Sequence, residues 1–335
     1  MSNAKESKIS TKESHVDEDD IDLPEVVNKR VKALKKIQYD LTKLEVEFFK
    51  EIHALDYKYH NLQVPMFEKR ATIVQGVYEP TDDESEWHSV DEDEADPDPK
   101  NKSKMDELKD VQGIPDFWLI IFKNVRILRE MIQPYDEPIL KHLKDVKLIT
   151  SNDPISFLLE FHFGPNDYFT NEILSKEYLM KCEVDNDDPF DFEGIEVYKC
   201  IGCTINWIDG KDITSKTVRK KQKHKGRGPV RVITEVVQKD SFFNFFSPPM
   251  IPENSSKIED LDEIQKNLLN NDIEIGQYII ERIIPRAVLY YTGDCVDEDD
   301  FTEEEDDDDD EEGEEDLEGR DKGSSKEQKS QKCSP

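Results

Sequence analysis

Long apolar runs are missing from this chain of 335 residues. The longest uninterrupted one, Phe117–Phe122, falls far short of the roughly 20 residues that span a bilayer, so no membrane contact is expected. Residues 1–20 hold no apolar stretch either, and no secretory leader is expected. Cysteine is scarce and odd in number: Cys182, Cys200, Cys203, Cys295 and Cys333. That argues against a closed disulfide framework and for free thiols in an intracellular setting. Cys333 is third from the end, where a prenylation box needs it fourth. The phosphate loop GxxxxGK and the signatures GxGxxG, GxSxG and HExxH are all absent. The carboxylates are too many for one pair to stand out as acid and base, so neither an enzyme nor a cofactor is expected.

Positive charge is the other shortage. Lys and Arg number 45 against 78 Asp and Glu, a net charge of −33. Asp294–Glu318 carries 19 acidic residues in 25 and no Lys or Arg. Such a run buries nothing and repels itself, so it reads as a solvated polyanionic arm. Removing those 19 carboxylates from −33 still leaves −14. A body this acidic disfavours direct nucleic-acid binding, which needs clustered cations. It favours a basic protein partner, with solubility alone as the plainer reading.

Residues 25–64 contain neither Pro nor Gly, and Pro24 suits a first helical turn. Apolar or aromatic residues recur at Val27, Val31, Leu34, Ile37, Leu41, Leu44, Phe48, Ile52, Leu55, Tyr59 and Leu62, about 3.5 residues apart. The stripe serves either a helix packed on its own domain or a dimerisation helix. Pro65 is expected to break the helix, with Met66–Val77 a shorter one beside it. The acidic stretch 79–112 reads as a loop, in which Thr81 and Ser85 precede acidic residues as candidate phosphorylation sites.

An α/β region follows. Pro115 opens a helix with Phe117, Trp118, Ile121, Phe122 and Val125, and Ser156–Phe163 alternates as a half-buried strand. Ile195–Trp207 is a longer strand candidate, Asp209-Gly210 a hairpin turn, and Val230–Val237 another strand. Leu261–Tyr291 reads as helix interrupted near Asn270 and Pro285. The expected fold class is α+β, with helices covering one face of a small antiparallel sheet. The domain limits are 1–23, 24–78, 79–112, 113–293 and 294–335.

Three possible sites are weighed by residue type. Cys200-Ile-Gly-Cys203 has the spacing of half a zinc site, but no second half exists. Calcium loops started at Asp91, Asp185 or Asp308 fail at Ala95, Pro189 and Gly319. Lys216–Arg231 holds eight Lys and Arg in sixteen residues, without an aromatic for base stacking. It reads as a nuclear import signal on an exposed hairpin, or as a solvated or internally paired loop. Phe242, Phe243, Phe245 and Phe246 read as core.

The strings VNKRVKALK (Val27–Lys35), YEPTDDESEW (Tyr78–Trp87), IPDFW (Ile114–Trp118) and DEPILKHLKD (Asp136–Asp145) form an ordered set. EFHFGPNDYFTNE (Glu160–Glu172), KKQKHKGRG (Lys220–Gly228), DSFFNFF (Asp240–Phe246) and ERIIPRAVLYYTG (Glu281–Gly293) continue it. In these the chain resembles the nucleosome assembly protein family, close to its animal members. The resemblance implies a histone chaperone that binds core histones and linker histone, prevents nonproductive histone–DNA contacts and promotes assembly without ATP. It implies a homodimer of antiparallel long helices, with dimerisation residues Val27, Val31, Leu34, Ile37, Leu41, Leu44, Phe48, Ile52 and Leu55. It implies shuttling between nucleus and cytoplasm through an import receptor that reads Val218, Arg219, Lys220, Lys221, Gln222, Lys223 and His224. The matching acidic motif contains Asp82, Asp83, Glu84, Glu86, Asp91, Glu92, Asp93 and Glu94. The tail contacts with histones fall on Glu303, Glu304, Glu305, Asp306, Asp307, Asp308, Asp309, Asp310, Glu311 and Glu312, and tail glutamates are polyglutamylated in relatives. Two departures are expected to matter: a short segment before Pro24, lacking the extra helix of many members, and Leu62–Phe67 in place of a tyrosine-bearing form. The competing reading is an acidic regulator that inhibits an enzyme or escorts basic cargo into the nucleus. A coiled-coil scaffold would leave the α/β region without a task.

Overall fold

The computed structural model describes residues 24–86, 111–185, 188–222, 231–249 and 262–295. Helix α1 runs over Glu25–Val74, 50 residues, and so extends for roughly 75 Å at 1.5 Å per residue. Pro24 stands at its N-cap position, outside the helix. The break expected at Pro65 does not occur, and no separate shorter helix follows it. Pro65 cannot donate to the carbonyl of Asn61, and its ring crowds that turn. The helix persists because packing holds both flanks. His60 Nε2 lies 3.0 Å from the carbonyl oxygen of Leu148 upstream, while Ala71 and Val74 are buried downstream. Arg70 Nη1 also donates to the carbonyl of Ile284.

A short helix α2, Asp82–Ser85, follows. Helices α3 (Phe117–Asn124), α4 (Arg126–Met131) and α5 (Glu137–Leu140) lead into a four-stranded antiparallel sheet. Its strands are β1 (Leu143–Asn152), β2 (Ile155–Phe163), β3 (Ile173–Lys181) and β4 (Glu196–Ile201), in the order β1-β2-β3-β4. Strand β2 has the alternation its sequence predicts. Phe157, Leu159, Phe161 and Phe163 are buried, while Leu158, Glu160 and His162 are half-buried. Strands β5 (Ser215–Gln222) and β6 (Arg231–Gln238) form a separate antiparallel pair. A 3-10 turn over Phe242–Phe246 comes next, then α6 (Glu263–Tyr278), a π-helical turn over Ile279–Ile283, and α7 (Ala287–Thr292). A long N-terminal helix with an α/β domain on a small antiparallel sheet is therefore the architecture.

Three expectations change in detail. The strand expected over Ile195–Trp207 stops at Ile201, because the chain then passes against the 3-10 turn. A Cβ on Gly202 would lie 1.9 Å from the carbonyl oxygen of Phe246, so only glycine fits there. Asp209-Gly210 does turn, with Gly210 at φ +72°, but it leads from β4 into β5, and those two strands do not pair. No interruption occurs at Asn270. Asp262 caps α6 by accepting from the amide of Gln265 at 2.8 Å, and the helix runs unbroken past Asn270. The expected break near Pro285 is present, as a turn between the π-helical segment and α7.

The core lies between the sheet and the helices. Helix α3 is buried over most of its surface through Phe117, Trp118, Leu119, Ile121 and Phe122, with Lys123 and Asn124 exposed at its C-terminal end. Phe161 meets Phe246 edge to face at 5.1 Å between ring centres, within a cluster that includes Phe122, Phe242 and Phe245. All four phenylalanines of the FFNFF run are buried, as core. Asp136 fastens this run to the helices. Its carboxylate accepts from Ser241 Oγ at 2.7 Å, from the amide of Phe242 at 2.9 Å and from the amide of Gln133 at 2.9 Å. Those three donors replace the water that a wholly buried carboxylate has lost.

Candidate interaction surfaces

Helix α1 presents two distinct faces. One face packs on its own domain through Thr42, Val46, Phe49, His53, His60, Phe67, Ala71 and Val74. Strand β1 is an edge strand of the sheet, and α1 lies along it. His53 Nε2 lies 3.2 Å from the carbonyl oxygen of Ser151, and His60 repeats the contact at Leu148 two turns later. A carbonyl only accepts, so both imidazoles carry the proton on Nε2. These contacts satisfy edge carbonyls that would otherwise invite another strand. Phe49 packs edge to face on Phe192 at 5.8 Å.

A second face, about a third of a turn round the helix, holds the predicted stripe. Leu34, Ile37, Leu41, Leu44, Phe48, Ile52, Leu55, Tyr59, Leu62 and Met66 are exposed, Phe48 at 58% and Leu44 at 61%. Val27 and Val31 are partly covered. Scattered exposed apolar residues are ordinary, but ten in one helical row are a contiguous apolar surface of the kind that marks an interface. The domain-facing row went unread in the sequence because His53, His60 and Thr42 break its apolar pattern. Its only signal is a Phe49–Phe67–Val74 spacing near the helical period.

The acidic motif begins as an ordered foot on α1. Thr81 caps α2, its hydroxyl accepting from the amide of Glu84 while the Glu84 side chain accepts from the amide of Thr81. The same Glu84 carboxylate accepts from Lys69 Nζ at 2.5 Å and from the Tyr78 hydroxyl at 2.6 Å. These donors, Lys69 first, draw its pKa down to about 2. Glu84 is thus committed to the fold, whereas Asp82, Asp83 and Glu86 are exposed. Asp91, Glu92, Asp93 and Glu94 lie outside the described residues, as does the tail run Glu303–Glu312.

Val218–Gln222 of the predicted import signal lies on β5, paired residue for residue with Arg231–Glu235. Lys223 and His224 lie outside the described residues. The structure therefore does not gather the predicted site residues into one place: the helix stripe, the acidic foot and the hairpin are separate features. Cys200 sits on β4 with its thiol pushed up to about 12, mainly by burial, and Cys203 accepts from the amide of Ser175 at 3.2 Å. Neither is a ready thiolate. Among the described residues no group of three His, Cys, Asp or Glu side chains is placed to hold a metal ion.

Comparison with known proteins bears directly on these surfaces. The family model described as nucleosome assembly protein (NAP) matches residues 29–294. The chain belongs to the nucleosome assembly protein family. Nucleosome assembly protein 1-like 1 of Xenopus tropicalis is 51% identical over 286 residues, covering 83% of this chain and 72% of that protein. Nucleosome assembly protein 1-like 4 of Bos taurus is 51% identical over 289 residues, covering 83% and 74%. Among solved structures, nucleosome assembly protein 1 from Plasmodium knowlesi matches 82% of this chain and 99% of its own, at 27% identity and a TM-score of 0.51. The family match begins within α1 and ends after α7, so it takes in the helix stripe, the acidic foot and the basic hairpin together.

Proposed function

We propose that this protein is a homodimeric histone chaperone that binds core and linker histones and promotes nucleosome assembly without ATP. The observation that carries the reading is family membership over residues 29–294 in a chain of net charge −33. Histones are held on DNA by its phosphates. A polyanionic protein offers carboxylates as the counter-charge instead, and so suppresses nonproductive histone–DNA contacts while leaving productive ones accessible. Binding energy and specificity come from the folded α/β domain. The acidic motif and the tail, at Glu303–Glu312 above all, raise the capture rate through a field that salt screens over roughly 8 Å.

Dimerisation through the exposed stripe of α1 gives two such domains per particle. The basic hairpin at Val218–His224 serves as the import signal for a receptor that carries the protein between cytoplasm and nucleus. The test is a plasmid supercoiling assay with purified core histones and topoisomerase, without ATP. Added protein should introduce supercoils in proportion to histone loaded. Histone binding without supercoiling would support the competing reading of an acidic inhibitor or escort.

A further inference from the structure

A groove of about 300 Å³ runs between α1 and strand β1. Helix and strand run in opposite directions there, since His53 meets Ser151 and His60 meets Leu148. Glu68 therefore lies toward Asp145, and Asn61 toward Thr150. Asp145 and Thr150 are about 16 Å apart on the extended strand. Val64 and Leu148 line the stretch between them. Asn61 and Glu68 stand roughly 130–150° round α1 from the apolar stripe, so a copy seated on the stripe would meet the helix on another side.

The two ends of the groove differ. Asp145 is 4% exposed, and its Oδ1 accepts from the amide of Val146 at 3.0 Å. No donor among the described residues meets its Oδ2. Burial pushes this carboxyl up, against the pull of Arg70, Lys147 and His162. Arg70 makes no hydrogen bond to it: the guanidinium donates to the carbonyl of Ile284 and lies over the Phe67 ring. Glu68 and Glu160 join Asp145 at this end, Glu160 as the cross-strand partner of Lys147 and 3.0 Å from His162 Nε2. Three carboxylates thus line the groove against one lysine, Lys147. The other end is neutral. There the Thr150 hydroxyl is buried without a hydrogen-bond partner among the described residues, and Asn61 is exposed.

Such a groove suits an occupant with a cation at one end, a polar chain at the other and an aliphatic stem between. A lysine residue with its flanking backbone has that form: the stem packs on apolar side chains while the ammonium offers three donors. We infer that the groove takes a lysine of the basic partner, its ammonium at Asp145, Glu68 and Glu160 and its peptide backbone at Asn61 and Thr150. The inference rests on the histone reading above and gives that reading one defined contact on the folded domain. An ammonium beside Asp145 supplies the donor that Oδ2 lacks. Because Asp145 is buried, salt screens this contact less than it screens those of the tail.

The test measures binding of labelled core histones to the full-length protein at about 150 mM salt. Val64→Phe fills the groove and leaves every charge in place, and it should weaken binding about ten-fold. Glu68→Gln, at an exposed helix position where the fold is not at stake, should weaken it about three-fold. Histones with acetylated lysines should bind the wild type and Val64→Phe alike, because no ammonium remains to be seated. Wild-type affinity in either variant would overturn the inference and leave the histone reading intact. So would calorimetric binding of 1,5-diaminopentane that Val64→Phe abolishes without loss of histone affinity, which would make a free diamine the occupant. A wild-type chain that binds no histone would overturn the function reading itself, a separate failure.

Discussion

Lys176 and Asp272 are the two charges this fold buries most deeply against each other. Lys176 is wholly buried on β3 and donates to Asp272 on α6 and to the carbonyl of Phe245 at 2.6 Å, with its ammonium 3.7 Å over the Phe245 ring. Burial lowers the pKa of the lysine and raises that of the aspartate, in each case against the pull of the partner. The second Asp272 oxygen has no hydrogen-bond partner among the described residues. Removing one charge strands the other, so Asp272→Ala should destabilise by about 3–5 kcal/mol. Joint replacement by Lys176→Met and Asp272→Leu should return most of that loss, because the desolvation penalty disappears with the pair. Chemical denaturation of the two variants measures both effects, and a double variant no better than the single one contradicts the account. Gly276 belongs to the same contact. A Cβ there would meet the Tyr178 hydroxyl at 2.5 Å, so α6 sits as close to β3 as this residue allows.

At the scale of elements, α1 carries the clearest prediction. Phe48 and Ile52 stand at the centre of the exposed stripe. Replacing both by glutamate should leave the α/β domain folded and reduce the particle in light scattering to a single 39.1 kDa chain. A particle of twice that mass would remove the stripe from the dimer contact. The elements that sequence reasoning placed well are those where one local rule acts alone: the alternation of β2, the β-branched run of β6 and the period of the stripe. It failed where a distant contact decided. Pro65 breaks an isolated helix, but here Leu148 and Ile284 hold its flanks. Ile195–Trp207 has strand composition throughout, but at Gly202 the backbone of Phe246 is already in the way. The domain-facing row of α1 was illegible because histidines, read as polar, fasten it to the β1 carbonyls of Ser151 and Leu148.

For the whole molecule, charge and fold divide the work. The acidic run at Asp294–Glu318 accounts for 19 of the negative charges, and the rest of the chain keeps a net −14. Because solvated charge acts mainly on encounter, a chain ending at Gly293 should still bind histones, more weakly and with a shallower dependence on salt. Titration of histone binding across a salt series reads both quantities, and complete loss of binding would move specificity from the domain to the tail. The candidate sites were legible in the sequence as composition, but their placement was not. Nothing in the string YEPTDDESEW reveals that Glu84 is occupied by Lys69 and Tyr78 while Asp82 and Asp83 remain free.

The two faces of α1 also divide how this protein is held together. Contacts through Val46, His53, His60 and Val74 form within one chain, and their contribution is the same in dilute and concentrated solution. In the proposed dimer, contacts through Leu34 to Met66 need a second chain, so their contribution would grow with the logarithm of protein concentration. One helix would then belong to two equilibria at once. At low abundance its domain-facing row alone keeps it attached, and its stripe becomes a surface that any apolar partner can find.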